Sequence, residues 1–382
     1  MITDKFFVRT YEEAFCEKKK KILISAGTVL VVAFIVICWP EKKVLPPDNM
    51  MVLDTSKVEN RNFYLSEETY AEEMQNVVEP YLNEHKVSGF FKGYDGNEIY
   101  YEQYLTENEK GHIVVVHGFT DAIYKFHEVI YYFQQNGYSV SALEHRGHGN
   151  SYRSIDNLSK ITVASFDEYI KDFGIFINTI VKPSLQENEK LFVYAHSMGG
   201  GIAARFMEED NTVFDAAVLT SPMMEIEYGG LPNHAAELVI KTASLLGMED
   251  SYILGSSDYE ETYDFENSSL TSKARYDHIF HVCTQNKNYQ MSGGDYNWIM
   301  AAIQGTKEIK ENAKRYDTDT LLFQAEKDSI VGPNGQNEFA AKASNVQPVF
   351  VKDAKHSILF TENETFIPYM NMILYFYEEH LN

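Results

Sequence analysis

Residues 191–204, LFVYAHSMGGGIAA, constrain this chain more than any other stretch. Four apolar residues read as a strand buried on both faces. They run without a spacer into Ala195-His196-Ser197-Met198-Gly199-Gly200-Gly201 and then into a helical pattern. A serine held on so tight a turn crowds the positions two before and two after it, and Ala195 and Gly199 are small enough to stand there. The turn lifts the hydroxyl above the sheet, and the helix that follows aims its N-terminal amide dipoles at any anion formed beside it. An ordinary glycine-rich turn with a capping serine does not account for strand, turn and helix together.

The surrounding pattern tells what kind of sheet this strand enters. A helix is predicted over 66–85, then a hairpin with strands over 90–94 and 99–104 about the turn Asp95-Gly96-Asn97. Strands over 112–117, 138–143, 191–195 and 214–219 then alternate with helices over 122–135, 166–184 and 198–208. Such alternation builds a mostly parallel sheet with helices on both faces. It breaks after Pro222, and strands resume only at 320–324 and 347–351. Residues 222–305, mainly helical and rich in Tyr and Met, are therefore expected to form a cap over the sheet edge.

A base and an orienting acid for Ser197 are sought at the ends of later strands, where an α/β sheet gathers its loops. Asp328 follows the strand 320–324 and His356 follows the strand 347–351. Glu326 and Asp353 are rival acids, but Glu326 follows its strand too closely and Asp353 reads as a turn residue. Upstream, Val116-His117-Gly118-Phe119 ends a strand in a glycine turn, so the backbone N–H groups of Phe119 and Met198 are the expected oxyanion donors. His145 and His148 lie in Glu144-His145-Arg146-Gly147-His148-Gly149 without a third ligand at zinc spacing, which reads as a structural loop.

With these residues in place the chain resembles the α/β-hydrolases of the monoacylglycerol lipase and bacterial lysophospholipase group over about residues 88–382. Members commonly carry Gly-His-Ser-Met-Gly-Gly and Asp-x-Arg-Gly-His-Gly-x-Ser, and this chain has Ala195 for the first Gly and Glu144 for the Asp. Leu270-Thr271-Ser272 with Arg275-Tyr276, and Gly293-Gly294 with Trp298, resemble the lysophospholipase cap, although Asp295-Tyr296 replace the usual Pro-Thr. The resemblance implies a Ser197-His356-Asp328 triad and an acyl-enzyme formed from a lipid-like monoacyl ester, with no cofactor and no metal. It says nothing of protein partners. A serine aminopeptidase of the same fold is the alternative, for which Glu225, Glu227, Glu249 and Asp250 would have to hold a free amine. A non-catalytic lipid- or peptide-binding scaffold is the second.

Residues 22–39 carry no charge over eighteen positions, enough to cross most of a bilayer as a helix. Lys18 to Lys21 precede them and Lys42 and Lys43 follow. The segment ends in Ile37-Cys38-Trp39-Pro40, unlike a cleavable signal peptide or a lipoprotein site, so an uncleaved anchor is expected. Six Lys and Arg before it against two just after put the N-terminus in the cytoplasm and the large domain outside. The chain then divides into a cytoplasmic segment 1–21, the membrane helix 22–39, a stalk 40–65 and the hydrolase domain 66–382. Lys and Arg number 33 against 56 Asp and Glu, a net −23, which argues against nucleic-acid binding. Beyond residue 43 the balance is −26, so the acidity belongs to the large domain. Cys16, Cys38 and Cys283 are too few and too scattered for a disulfide framework.

Overall fold

Uncharged runs of β-branched and aromatic residues form the middle of a nine-stranded sheet. Its strands are β1 (Met51–Val52), β2 (Lys86–Lys92), β3 (Glu98–Tyr104), β4 (Gly111–Val116), β5 (Tyr138–Leu143), β7 (Leu191–His196), β8 (Ala216–Thr220), β10 (Thr320–Ala325) and β11 (Val346–Val351). A separate two-stranded sheet holds β6 (Lys160–Ile161) and β9 (Gly293–Gly294). The large sheet runs β1-β11-β10-β8-β7-β4-β5-β3-β2. All its pairings are parallel except β2 with β3 and β3 with β5. The computed structural model describes residues 43–56 and 63–381. The expected membrane helix 22–39 and the segment before it lie outside the described residues. Among the described residues no helix is long and apolar enough to cross a membrane.

Period-two burial fixes which side chains meet which layer. Ile113 and Val115, Phe192 and Tyr194, Ala216 and Val218, Leu321 and Phe323, and Val349 and Val351 share one core with the helices His127–Gln135 and Asn363–Glu379. Their alternates, among them Val114, Val193, Ala195 and Leu219, are also buried. The helices Asp167–Phe176, Met198–Glu209 and Tyr296–Asn312 pack on one another in the opposite layer. Burial on both faces explains the uncharged runs of the central strands.

The stalk read over 40–65 is in part a sheet edge. β1 pairs parallel to β11 through Met51↔Val349 and Val52↔Phe350, and Leu53 is buried beside it. The Val44 N–H donates to Asn334 Oδ1 at 2.9 Å. An open edge of β11 offers unpaired backbone groups, and Met51-Val52-Leu53 is apolar enough to cover them.

The insertion also differs from its expected limits. Its last helix, Tyr296–Asn312, packs along Met198–Glu209, so the part outside the layers stops before residue 305. β9 pairs with β6 through Lys160↔Gly293 and Ile161↔Gly294, clipping the insertion to the loop after β5. Residues 228–239 fall outside the unit that holds Lys43–Glu227 and the chain from Ile240 onward. They comprise a turn at Gly229-Gly230 and the start of the helix Asn233–Leu245.

Candidate active site

Ser197 joins β7 to the helix Met198–Glu209 at φ 52° and ψ −119°, a sparsely populated backbone region for a residue with a side chain. Neighbouring backbone holds it there. Its N–H donates to the Thr220 carbonyl at 3.0 Å, and its carbonyl accepts from Gly201 at 3.1 Å and Met223 at 2.8 Å. A Cβ on Gly199 would lie 2.4 Å from the His117 carbonyl oxygen, which is why only glycine fits two residues after the serine. The end of β4 therefore presses directly on the first turn of the helix.

The three candidate chemical residues converge although they come from β7, β10 and β11. The Ser197 hydroxyl donates to His356 Nε2 at 2.8 Å. His356 Nδ1–H donates to Asp328 Oδ2 at 2.8 Å. Asp328 Oδ1 accepts the N–H groups of Ile330 and Val331 at 2.9 and 3.0 Å, which fixes the carboxylate plane. Ser197 is 6% exposed and His356 4%, so this chain of hydrogen bonds is recessed. Asp353 instead pairs with Lys327 at 2.6 Å on the surface, and Glu326 accepts the Asp353 N–H at 2.8 Å. Neither rival acid is spare for His356.

The glycine turn after β4 lies against the serine, a Cβ on Gly118 falling 3.0 Å from Ser197 Cβ. The Phe119 N–H and the Met198 N–H are without an acceptor among the described residues. Met198 stands at the N-terminus of its helix, where N–H groups have no intrahelical partner. Asp121 shapes the turn by accepting the Gly118 N–H at 3.2 Å. Burial pushes its carboxyl up, but Lys125, 2.6 Å away, and His196 hold it down at about 2. An aspartate three residues after the glycine is the sequence signal for this role.

The insertion contributes two contacts to the site. Trp298 stacks on Phe119 with ring centroids 3.8 Å apart, making an apolar wall beside the glycine turn. Residues 266–272 strap the loop that carries His356. The Lys355 ammonium donates to the Glu266 and Ser268 carbonyls, the Ser357 N–H to the Ser269 carbonyl, and the Ser272 N–H to the Phe360 carbonyl. Arg275, fully buried, anchors the strap's following helix through Glu128 at 2.6 and 2.8 Å, the Thr361 carbonyl at 2.9 Å and Asn363 at 2.9 Å. The pattern Leu270-Thr271-Ser272 with Arg275 thus has a structural meaning: it holds His356 in place from outside.

The paired histidines sit in a packed loop. The His145 N–H donates to His117 Nε2 at 2.9 Å, so His117 Nδ1 carries the hydrogen and donates to the Gly118 carbonyl at 2.7 Å. His148 Nδ1 bonds the Arg146 carbonyl at 3.0 Å. Burial pushes all three imidazoles down, His117 to about 4. Of the acids considered for a free amine, Glu225 pairs with Lys310 at 3.8 Å and Asp250 accepts from Asn297 at 3.1 Å.

Residues 107–364 match the family described as serine aminopeptidase, S33. Lysophospholipase L2 of Escherichia coli is 25% identical over 298 residues, covering 76% of this chain and 87% of that protein. The monoacylglycerol lipase of Mycolicibacterium smegmatis is 28% identical over 160 residues, covering 41% and 52%. Among solved structures, a soluble variant of the Saccharomyces cerevisiae monoglyceride lipase, in complex with a substrate analog, superposes with a TM-score of 0.62 at 17% identity. It covers 77% of this chain and 94% of that one, a likeness of fold.

Proposed function

This chain belongs to the serine aminopeptidase S33 family of α/β-hydrolases, and from that premise we propose that it cleaves monoacyl lipids through Ser197, His356 and Asp328. It is a serine ester hydrolase. Ser197 Oγ attacks the ester carbonyl while His356 Nε2 takes its proton, and the same nitrogen gives that proton to the leaving alcohol as the tetrahedral adduct collapses. Asp328 keeps the imidazole in the tautomer whose Nε2 faces the serine. The Phe119 and Met198 N–H groups receive the oxyanion. Water then attacks the acyl-enzyme by the same route and releases the fatty acid.

The observation that carries this reading is the unbroken chain Ser197–His356–Asp328, two hydrogen bonds of 2.8 Å at the carboxyl edge of the sheet. The relatives named lysophospholipase and monoacylglycerol lipase favour a lipid ester over a peptide. The apolar wall of Phe119 and Trp298 suits an acyl chain better than an ammonium group. A hydrolysis screen over lysophospholipids, monoacylglycerols and aminoacyl esters tests the substrate class. Fastest turnover of a monoacyl lipid is expected, and fastest turnover of a free-amine substrate would move the chain to the peptidase reading.

The apolar segment 22–39 completes the proposal. It anchors the enzyme with its N-terminus in the cytoplasm and its hydrolase domain on the far side of the bilayer, a reading supported by residue pattern and flanking charge.

A further inference from the structure

Three side-chain atoms without partners meet at the edge of the sheet opposite Ser197. They are Glu109 Oε2, His112 Nδ1 and Glu189 Oε1, each buried and without a hydrogen bond among the described residues. All lie within 4.8 Å of one another. His112, at the start of β4, is 0% exposed, and its Nδ1 is 4.0 Å from Glu109 Oε2. Glu189 comes from the turn before β7.

The other atoms of these side chains are already committed, so the free ones are aimed. Gln186 Nε2 donates to Glu109 Oε1 at 3.1 Å, and the Gln186 N–H donates to Glu189 Oε2 at 2.8 Å. One residue thereby orients both carboxylates. His112 Nε2 bonds Ser141 Oγ at 2.7 Å, and Ser141 is itself held by Gln103 at 3.0 Å. With Nε2–H donating to the serine, the Nδ1 lone pair points at the carboxylates, an arrangement typical of metal-binding histidines. The adjacent cations do not neutralise the site: Lys110 pairs with Glu378 at 3.9 Å and Lys190 with Asp215 at 3.0 Å.

We propose that Glu109, His112 and Glu189 bind a first-row divalent cation of the Zn²⁺ type, which clips the loop before β4 to the turn before β7. One imidazole and two carboxylates suit such an ion, whereas Ca²⁺ and Mg²⁺ prefer oxygen alone. Ligand atoms around tetrahedral Zn²⁺ stand about 3.3 Å apart given bonds of about 2.0 Å, so closure needs only side-chain rotation. Without a cation the two half-buried carboxylates, whose free oxygens lie within 4.8 Å of each other, repel or share a proton. Six residues of β7 separate this edge from the serine, so the ion acts on stability and leaves turnover alone.

The test is calorimetric titration of the chelator-treated full chain with Zn²⁺, alongside its thermal unfolding. One equivalent bound per chain and a raised unfolding midpoint are expected. Glu109→Gln and Glu189→Gln should each weaken binding at least tenfold and leave short-chain ester turnover unchanged. If either variant fails to fold, the wild type loaded with Co²⁺ should show one paramagnetically shifted imidazole N–H. No saturable Zn²⁺ binding, or affinity unchanged in the two variants, would overturn the site. So would a Glu189→Gln protein more stable than wild type with and without Zn²⁺, which would mark a shared proton instead.

Discussion

Gly199 faces the His117 carbonyl so closely that a Cβ at this position would lie 2.4 Å from the oxygen. Backbone, not a flexible side chain, stands in the way, so either β4 or the helix must shift. Gly199→Ala should cost about 1–3 kcal/mol of stability and lower ester turnover at least tenfold, because the same shift moves the Phe119 amide. Urea unfolding and a short-chain ester assay measure both, and wild-type values in both would show that the contact is slack.

Arg275 donates five hydrogen bonds from a fully buried guanidinium, two of them to Glu128. Arg275→Met leaves the Glu128 carboxylate buried without its cation, which should destabilise the fold by about 3–5 kcal/mol. Adding Glu128→Gln should recover part of the loss, as read by chemical denaturation of the single and double variants. Equal losses in both would mean that the pair has no coupling.

Burial pushes the Glu144 carboxyl up to about 7 from an ordinary 4.5. The folded chain then holds this proton more tightly than the unfolded chain does. The resulting stability is fully present below 4.5 and is lost as pH rises through about 7. Glu144→Gln keeps the neutral shape, so wild type should lose about 3 kcal/mol relative to the variant between about pH 4.5 and pH 8. A pH-independent difference between the two unfolding curves would contradict the assignment.

Asp328→Asn should preserve folding and reduce ester turnover by about 10⁴, since the imidazole loses its charge partner and its tautomer. Asp353→Asn should be close to neutral, because the Asp353 carboxylate pairs with Lys327 at the surface and not with His356. Parallel kinetics on the two variants distinguish the acids, and a reversed ranking would replace Asp328.

Strand punctuation makes much of this architecture legible. Buried apolar runs end abruptly at Ser197, before Asp328 and before His356, and a parallel sheet gathers such ends at one edge. The pieces that escaped are those without periodicity. β6 and β9 are two residues each, 133 positions apart by their paired Lys160 and Gly293, and Met51-Val52 is too short to read as a strand. The strap 266–272 works through backbone carbonyls, which leave no signature in side-chain type. Glu109, His112 and Glu189 meet only because β4 and β7 are neighbours in the sheet order.

Removing residues 1–43 should leave turnover of a water-soluble short-chain ester nearly unchanged, because Ser197, Asp328 and His356 and the hydrogen bonds that join them all lie far beyond residue 43. If residues 22–39 are the proposed anchor, hydrolysis of monoacyl lipid in anionic vesicles should fall markedly, since a domain at −26 is repelled by the surface without a tether. High salt should shrink the deficit by screening. Vesicle hydrolysis unaffected by the truncation would argue against the anchor.

Whether Ser197 is the attacking nucleophile is tested most directly by intact-mass and peptide-mass measurement after treatment with a fluorophosphonate ester. One adduct per chain on the peptide containing Ser197 is expected, with labelling and ester turnover both abolished in Ser197→Ala. An adduct on another residue, or wild-type labelling of that variant, would contradict the assignment.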